Sequence, residues 1–256
     1  MQDKPLLSVN HISRSFRKQG VKIVAAEDVS FTLAPGECLG ILGESGSGKS
    51  TVANLIAGFI RPDRGNIIYD GVDLTSLHGR NRMEARKTMQ MVFQHPMMSF
   101  HPRCTVMEGV MEGVRYHTDM SDEEMVERCR NTLEMVGLSR SLESKRCRAL
   151  SGGQCQRVAI ARAIAGTPKF IICDEVTSAL DVSIQNQILR LLRDLKENSE
   201  TAYLFISHDV AVLSAMCDRI VVMKNGHIVE EGISDQIVMD PKDEYTKEMI
   251  RAVMTL

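Results

Sequence analysis

A glycine-rich run near the start of the chain has residue types and spacing suited to binding phosphate. Residues 43–51 read Gly-Glu-Ser-Gly-Ser-Gly-Lys-Ser-Thr and fit the pattern Gly-x-x-x-x-Gly-Lys-Ser/Thr. In this pattern the glycines let the backbone curl so that N–H groups point at phosphate oxygens. The lysine adds positive charge, and the next hydroxyl is a ligand for Mg²⁺. An ordinary glycine-rich turn is the alternative. We predict a nucleotide-binding loop made of Gly43, Glu44, Ser45, Gly46, Ser47, Gly48, Lys49, Ser50 and Thr51.

Two carboxylates at the end of an apolar run form a second candidate group. Residues 170–173 are apolar and are followed by Asp174 and Glu175, as expected of a buried parallel strand whose carboxyl end opens onto a ligand crevice. We predict that Asp174 holds Mg²⁺ and that Glu175 polarises or deprotonates an attacking water. Alone, the pair is equally compatible with a strand that runs into an acidic turn. The phosphate loop upstream favours the catalytic interpretation.

A third group combines a helix cap with bare backbone. Residues 150–154 read Leu-Ser-Gly-Gly-Gln, so Ser151 and Gln154 have the spacing of a capping box. Gly152 and Gly153 leave the first helical turn without side chains, which exposes N–H groups and the positive end of the helix to an anion. A well-capped structural helix is the alternative interpretation.

The elements that must position these groups follow from periodicity. Apolar residues before the phosphate loop predict strands of a partly antiparallel sheet, helices dominate from about 95 to 165, and strand and helix alternate again after 168. Ser121 and Glu124 predict a capping box at the start of one helix, and residues 224–226 predict the turn of a hairpin. We therefore predict an α/β fold in which residues 1–94 and 166–256 form the core with a β subdomain and residues 95–165 form a helical insertion.

Composition excludes several classes of protein. The 256 residues carry a formal net charge of −2, which gives no basic stripe for nucleic acid. No apolar run approaches the about 20 residues that a membrane span needs, and the first five residues do not resemble a signal peptide. Seven cysteines lie scattered without a Cys-x-x-Cys pair, so we expect buried cytosolic thiols rather than disulfides or zinc ligands. The absence of an Asn-Lys-x-Asp motif favours ATP over GTP.

Taken together, these motifs resemble those of ATP-hydrolysing subunits of ATP-binding cassette (ABC) transporters, and the resemblance covers almost the whole chain. Gln94 matches the family's Q-loop, residues 178–181 (Ser-Ala-Leu-Asp) match its D-loop, and His208 matches its switch histidine. The resemblance implies a P-loop NTPase cassette with a RecA-like core, an antiparallel β subdomain and a helical subdomain. It also implies ATP and Mg²⁺ as cofactors, with two nucleotide sites shared across a dimer.

The resemblance assigns a role to each candidate residue. Catalytic roles fall to Glu175, His208 and Gln94. Ligands for Mg²⁺ are Ser50, Gln94 and Asp174. Further nucleotide-binding roles fall to Ser151, Gly152, Gly153, Gln154 and Asp181, of which Ser151 and Gly153 serve the site of the opposite subunit. Phe16 lies where the family places an aromatic residue under the adenine; a core phenylalanine is the alternative.

A narrower resemblance concerns residues 94–103 and 205–232, which are similar to the peptide and nickel importer branch of the family. It implies a second ABC ATPase subunit, identical or different, two transmembrane permease subunits, and indirectly a substrate-binding protein. The chain is then expected at the cytoplasmic face of the membrane, without a nucleic-acid partner. A non-transport ABC ATPase of a soluble complex shares every ATP motif and remains the main alternative, and a simple P-loop phosphotransferase is a third.

Three local features complete the sequence picture. Val176 stands where the family usually has proline, and Cys155 replaces a commoner polar residue. Methionines crowd the Q-loop region, between residues 89 and 111. We interpret them as a pliant apolar groove for a permease helix, with core packing as the alternative.

Overall fold

The computed structural model describes residues 4–18, 20–115, 120–178 and 180–254. The strands are β1 (Leu7–Lys18), β2 (Val21–Leu33), β3 (Cys38–Leu42), β4 (Arg64–Tyr69), β5 (Val72–Asp73), β6 (Met89–Val92), β7 (Phe170–Asp174), β8 (Ala202–Ser207), β9 (Arg219–Lys224) and β10 (His227–Ile233). The α-helices are α1 (Lys49–Ala57), α2 (Gly79–Ala85), α3 (Val106–Arg115), α4 (Asp122–Met135), α5 (Gly152–Ala165), α6 (Val182–Glu197), α7 (Val210–Met216), α8 (Ser234–Met239) and α9 (Glu244–Met254). The predicted α/β class is confirmed.

Internal contacts divide the chain into two compact units. The first unit contains the described residues up to 86 and from 200 onwards, and the second unit spans 87–199. The predicted helical insertion, residues 95–165, falls within the second unit, which also contains β6, β7 and α6. The predicted subdomain boundaries at 94/95 and 165/166 stay a prediction.

An antiparallel sheet forms one layer of the first unit. Its strand order is β2-β1-β4-β5, and β1 pairs antiparallel with both neighbours, with Leu7 opposite Leu33 on β2 and opposite Tyr69 on β4. Leu7, Val9 and Ile12 are buried, which explains why the apolar positions of this segment predicted a strand. The predicted antiparallel sheet is confirmed.

A mostly parallel sheet forms the other layer of the first unit. In it β3 lies between β8 and β9 and is parallel to both, while β10 returns antiparallel to β9. Every residue of β3 is buried, as expected of a parallel strand covered on both faces. Asn225 and Gly226 join β9 to β10 with φ values of 50° and 85°, the two left-handed residues that a tight hairpin turn requires. The hairpin predicted at 224–226 is therefore confirmed.

The second unit combines a strand pair with packed helices. Here β6 and β7 run parallel, with Met89 opposite Phe170. Helix α4 begins at the predicted capping box, in which Ser121 and Glu124 cap each other's backbone N–H. A Cβ atom on Gly113 of α3 would lie 1.9 Å from the carbonyl oxygen of Arg162 on α5. The close approach of these two helices therefore requires glycine at this position.

All seven cysteines are buried, as the sequence predicted. Two pairs are close, since the Sγ atoms of Cys38 and Cys217 and those of Cys104 and Cys147 are each 3.6 Å apart. Burial raises the pKa of the Cys147 thiol to about 12. Within the described ranges, no helix has both the length and the apolar character that crossing a membrane requires.

Candidate nucleotide-binding and catalytic groups

The phosphate loop connects β3 to α1 in the first unit and is held by close backbone contacts. Gly48 has φ of 106°, and a Cβ atom on it would lie 2.1 Å from the carbonyl oxygen of Ala25 on β2. A Cβ atom on Gly43 would lie 2.4 Å from the carbonyl oxygen of Met223 on β9. Neither position has room for a side chain, so packing requires glycine at both, and at Gly48 the positive φ favours glycine as well.

Lys49 is folded back onto its own loop. Its side chain is almost completely buried, and Nζ donates hydrogen bonds to the carbonyl oxygens of Gly43 and Glu44 at 2.7 and 2.8 Å. The N-cap residue of α1 is Gly48, which has no side chain, so no side-chain hydrogen bond caps the first turn of this helix. The loop therefore presents a buried ammonium and a helix N-terminus without a side-chain cap, which together suit a phosphate.

Two contacts from the C-terminal part of the chain support this loop. Gly226 donates its N–H to the carbonyl oxygen of Ser47 at 2.9 Å, and Glu44 donates its N–H to the phenolic oxygen of Tyr245 at 3.1 Å. Sequence reasoning missed both supports, because roughly two hundred residues separate the partners and no short motif links them. The Asn-Gly turn predicted only a hairpin.

Phe16 and His208 also belong to the first unit. Phe16 lies on β1 opposite Ile23 and is 37% exposed, with the Arg14 guanidinium carbon 5.0 Å from its ring centroid. Phe16 is thus not a core phenylalanine. His208 follows β8 and is exposed, next to Asp209, which caps α7. Their contacts with adenine and with the γ-phosphate stay predictions.

In the second unit the structure brings Gln94 and Glu175 together. Gln94 Nε2 donates to Glu175 Oε2 at 2.8 Å and to Ser178 Oγ at 3.3 Å, and Ser178 Oγ donates to the carbonyl oxygen of Glu175 at 3.0 Å. Glu175 has φ of 47°, a left-handed conformation that is uncommon outside glycine. A carboxylate held in this way has a fixed orientation and can polarise a water molecule.

The predicted magnesium ligands have suitable donor chemistry. Ser50, Gln94 and Asp174 offer a hydroxyl, an amide oxygen and a carboxylate, the oxygen ligands that Mg²⁺ takes in proteins. Asp174 is the last residue of β7. Gln94 uses its amide nitrogen to bind Glu175, which leaves its amide oxygen for a cation. The residues present therefore fit the ion.

Helix α5 begins within residues 150–154, with Ser151 as its N-cap, as the sequence predicted. Ser151 Oγ accepts a hydrogen bond from the N–H of Gln154 at 3.3 Å, and Gln154 Oε1 accepts one from the N–H of Ser151 at 3.2 Å. A Cβ atom on Gly153 would lie 2.7 Å from Cγ2 of Ile184 on α6. Ser151 and Gly152 are exposed, so the capping serine and the first of the two glycines face solvent in this chain, while Gly153 lies against Ile184.

Asp181 acts locally as a helix cap. Its Oδ1 accepts the N–H of Ile184 at 2.9 Å at the start of α6. Its predicted contact with nucleotide stays a prediction, and Ala179 of the same predicted loop lies outside the described residues. Val176, where the resemblance leads one to expect proline, is buried.

Comparison with known proteins matches this geometry to one family. A family model described as "ABC transporter" matches residues 26–178. The chain belongs to the ABC transporter family. It is 40% identical to the oligopeptide transport ATP-binding protein OppF of Haemophilus influenzae over 97% of this chain and 78% of that protein. It is 42% identical to OppF of Escherichia coli over 90% of this chain and 69% of that protein.

A solved structure of the same family agrees with the fold. The dimeric ATP-binding cassette MJ0796, in a post-hydrolysis state with ADP and phosphate, superposes with a TM-score of 0.81 at 30% identity, covering 89% of this chain and 98% of that one. The cassette fold expected from the sequence is therefore confirmed. This ABC protein binds ATP and hydrolyses it.

Proposed function

We propose that the chain is one of two ATPase subunits that close on two ATP molecules and open after hydrolysis, driving a membrane permease that imports peptides. The contact between Gln94 and Glu175 carries this proposal. Glu175 is the carboxylate placed to activate water. Gln94 is the first residue of segment 94–103, which by its resemblance to importers is expected to contact the permease. A change at one residue would reach the other through their 2.8 Å hydrogen bond and through Ser178, which contacts both.

The candidate residues of the two units have separate roles in phosphoryl transfer. Lys49 neutralises phosphate charge, and the N–H groups of the loop and of α1 donate to phosphate oxygens. Glu175 orients the attacking water and accepts its proton, and His208 contacts the γ-phosphate. Ser50, Gln94 and Asp174 would hold Mg²⁺, which supplies charge neutralisation on the phosphates when bound. Phe16 stacks under the adenine through the exposed part of its ring.

The opposite ATPase subunit completes each site. Ser151 Oγ accepts a hydrogen bond from Gln154, and a hydroxyl that accepts still has a proton to donate. The exposed turn at Ser151 and Gly152 therefore offers a hydroxyl and backbone N–H groups to the γ-phosphate of the other subunit, with Gly153, Gln154 and Asp181 beside it. The dimeric form of MJ0796 supports two cassettes acting together. The second subunit is either another copy or a different ABC ATPase.

The names of the relatives favour peptides over nickel as the cargo, since OppF of both organisms is an oligopeptide transport protein. A cavity of about 360 Å³ in the second unit, just after the Q-loop, is the candidate contact for a permease segment. It is lined by His101, Arg103, Cys104, Glu108, Glu112 and Arg115. Nearby in sequence, Met98 is 86% exposed. The described residues that line the cavity include no methionine, so it is more polar than the apolar groove predicted from the methionines.

Co-purification from detergent-solubilised membranes tests the proposal. We expect the tagged chain to recover two permease subunits and a second ATPase, with ATP hydrolysis that Ser151→Arg abolishes. Ser121→Arg is the matched control, because it replaces the same residue type in a second capping box and should keep the activity. Recovery of soluble partners only, or of an active homodimer indifferent to membranes, would favour a non-transport ATPase of a soluble complex.

A further inference from the structure

Tyr245, near the start of α9, touches the phosphate loop from a part of the chain without a motif for nucleotide chemistry. Its phenolic oxygen accepts the N–H of Glu44 at 3.1 Å. That N–H belongs to the same peptide group as the carbonyl of Gly43, which accepts a hydrogen bond from Lys49 Nζ at 2.7 Å. One rigid peptide plane thus has Tyr245 at one edge and Lys49 at the other.

Because the peptide group is planar, the contact of Tyr245 with the Glu44 N–H also fixes the direction of the Gly43 carbonyl. In a trans peptide the N–H and C=O groups point in opposite directions and cannot rotate independently, and no described peptide bond is cis. Holding the Glu44 N–H on Tyr245 therefore aims the Gly43 carbonyl at Lys49. We propose that Tyr245 is a positioning residue that sets the place of the Lys49 ammonium through the Gly43–Glu44 peptide.

The tyrosine itself is firmly held. It is 6% exposed, its own N–H donates to Asp243 Oδ1 at 2.9 Å, and Lys224 Nζ lies 4.4 Å from its ring centroid. Glu230 of β10 in turn accepts the N–H of Asp243 at 3.1 Å. The backbone hydrogen bond, the lysine over the ring and the burial together fix the ring. Its hydroxyl is therefore held in one place, as a positioning residue requires.

Thr246, the next residue, provides a matched control. Its side chain is completely buried, and its hydroxyl has no hydrogen-bond partner among the described residues. Tyr245→Phe and Thr246→Val each remove one hydroxyl from the same turn of α9 while keeping the shape of the side chain. Only the first of these hydroxyls contacts the phosphate loop.

The test is equilibrium binding of a fluorescent ATP analogue, with Mg²⁺, to the full chain. Because one hydrogen bond is lost, we expect Tyr245→Phe to weaken binding by about fivefold, while Thr246→Val binds as the wild type does. In a Lys49→Ala background, Tyr245→Phe should have no further effect, since the group that it positions is gone. Unchanged binding by Tyr245→Phe, or a full additional loss in the Lys49→Ala background, overturns the inference.

The inference rests on the proposed role of Lys49, and the same series separates the two. If Lys49→Ala alone leaves binding unchanged, the proposed role of Lys49 fails and the inference with it. If Lys49→Ala weakens binding and Tyr245→Phe does not, the inference alone fails. Melting temperatures of both α9 variants add a structural check: equal destabilisation with equal loss of binding would mark a packing role and overturn positioning.

Discussion

At the scale of single residues, the chemistry depends on side chains whose orientation other residues fix. Glu175 sits in a left-handed backbone conformation at the end of β7 and accepts a hydrogen bond from Gln94. A left-handed backbone conformation at a residue other than glycine persists only where the surrounding structure imposes it, and it is enriched at functional sites. Motif and resemblance predicted both residues, but neither gave their contact, since 81 positions separate them.

Replacing Glu175 by glutamine removes the negative charge of the side chain and keeps its shape. The amide oxygen can still accept the hydrogen bond from Gln94, whereas the base that receives the proton of the water is lost. We expect nucleotide binding to stay within about twofold of the wild type and steady-state hydrolysis to fall at least about a hundredfold. Phosphate release and nucleotide titration measure the two effects. Glu123→Gln, the same change on the exposed surface of α4, is the control; near-normal turnover by Glu175→Gln would exclude a general base at this position.

At the scale of elements, capping residues in the sequence predicted where helices begin, but the sequence did not predict which other elements those helices pack against. Capping residues lie within three positions of each other, so Ser121 with Glu124 and Ser151 with Gln154 could be identified from spacing alone. Gly113 shows the limit. The sequence has a glycine within an amphipathic helix, but that this glycine meets the backbone of Arg162 depends on how α3 packs against α5.

Gly113→Ala tests that packing directly. The added methyl group would meet a backbone carbonyl at 1.9 Å, and backbone cannot move aside without separating the two helices. We expect a loss of about 1–3 kcal/mol in the free energy of unfolding, measured by urea titration. Gly109→Ala on the same helix should lose less, because its nearest neighbour is the ring of Phe100 at 3.0 Å. A Gly113→Ala protein as stable as the wild type would contradict the close approach of α3 and α5.

At the scale of the whole molecule, the distribution of thiols indicates a chain without disulfides. All seven cysteines are buried, and burial raises the pKa of Cys129 and Cys155 to about 11. Composition and spacing predicted this outcome well, because scattered cysteines in apolar stretches behave as small hydrophobic residues. The close pairs, such as Cys38 with Cys217, have no signal in the sequence, since only the fold brings them together.

These thiols should react slowly in the native protein. We expect few of the seven to react with a disulfide reagent at pH 8 until guanidinium is added, because all seven are buried and the reagent cannot reach them in the folded protein. The thiols of Cys129 and Cys155 lose their protons near pH 9 in the unfolded chain but only near pH 11 in the folded one, so stability should fall as pH rises from about 9 towards 11. Urea midpoints at pH 8 and pH 10 measure this slope, and Cys129→Ala should reduce it. Rapid reaction of several thiols at pH 8 would contradict their burial.

The two C-terminal supports of the phosphate loop bear on how the protein is made. Ser47 is held by Gly226, and Glu44 by Tyr245, so both supports leave the ribosome long after the loop that they hold. A nascent chain that has emerged only to residue 200 contains the whole glycine-rich run and neither support. Synthesis proceeds at about 5–20 residues per second, so this stage lasts for seconds. The loop reaches its final form only after Tyr245 has emerged, and we expect the chain to bind ATP competently no earlier than that.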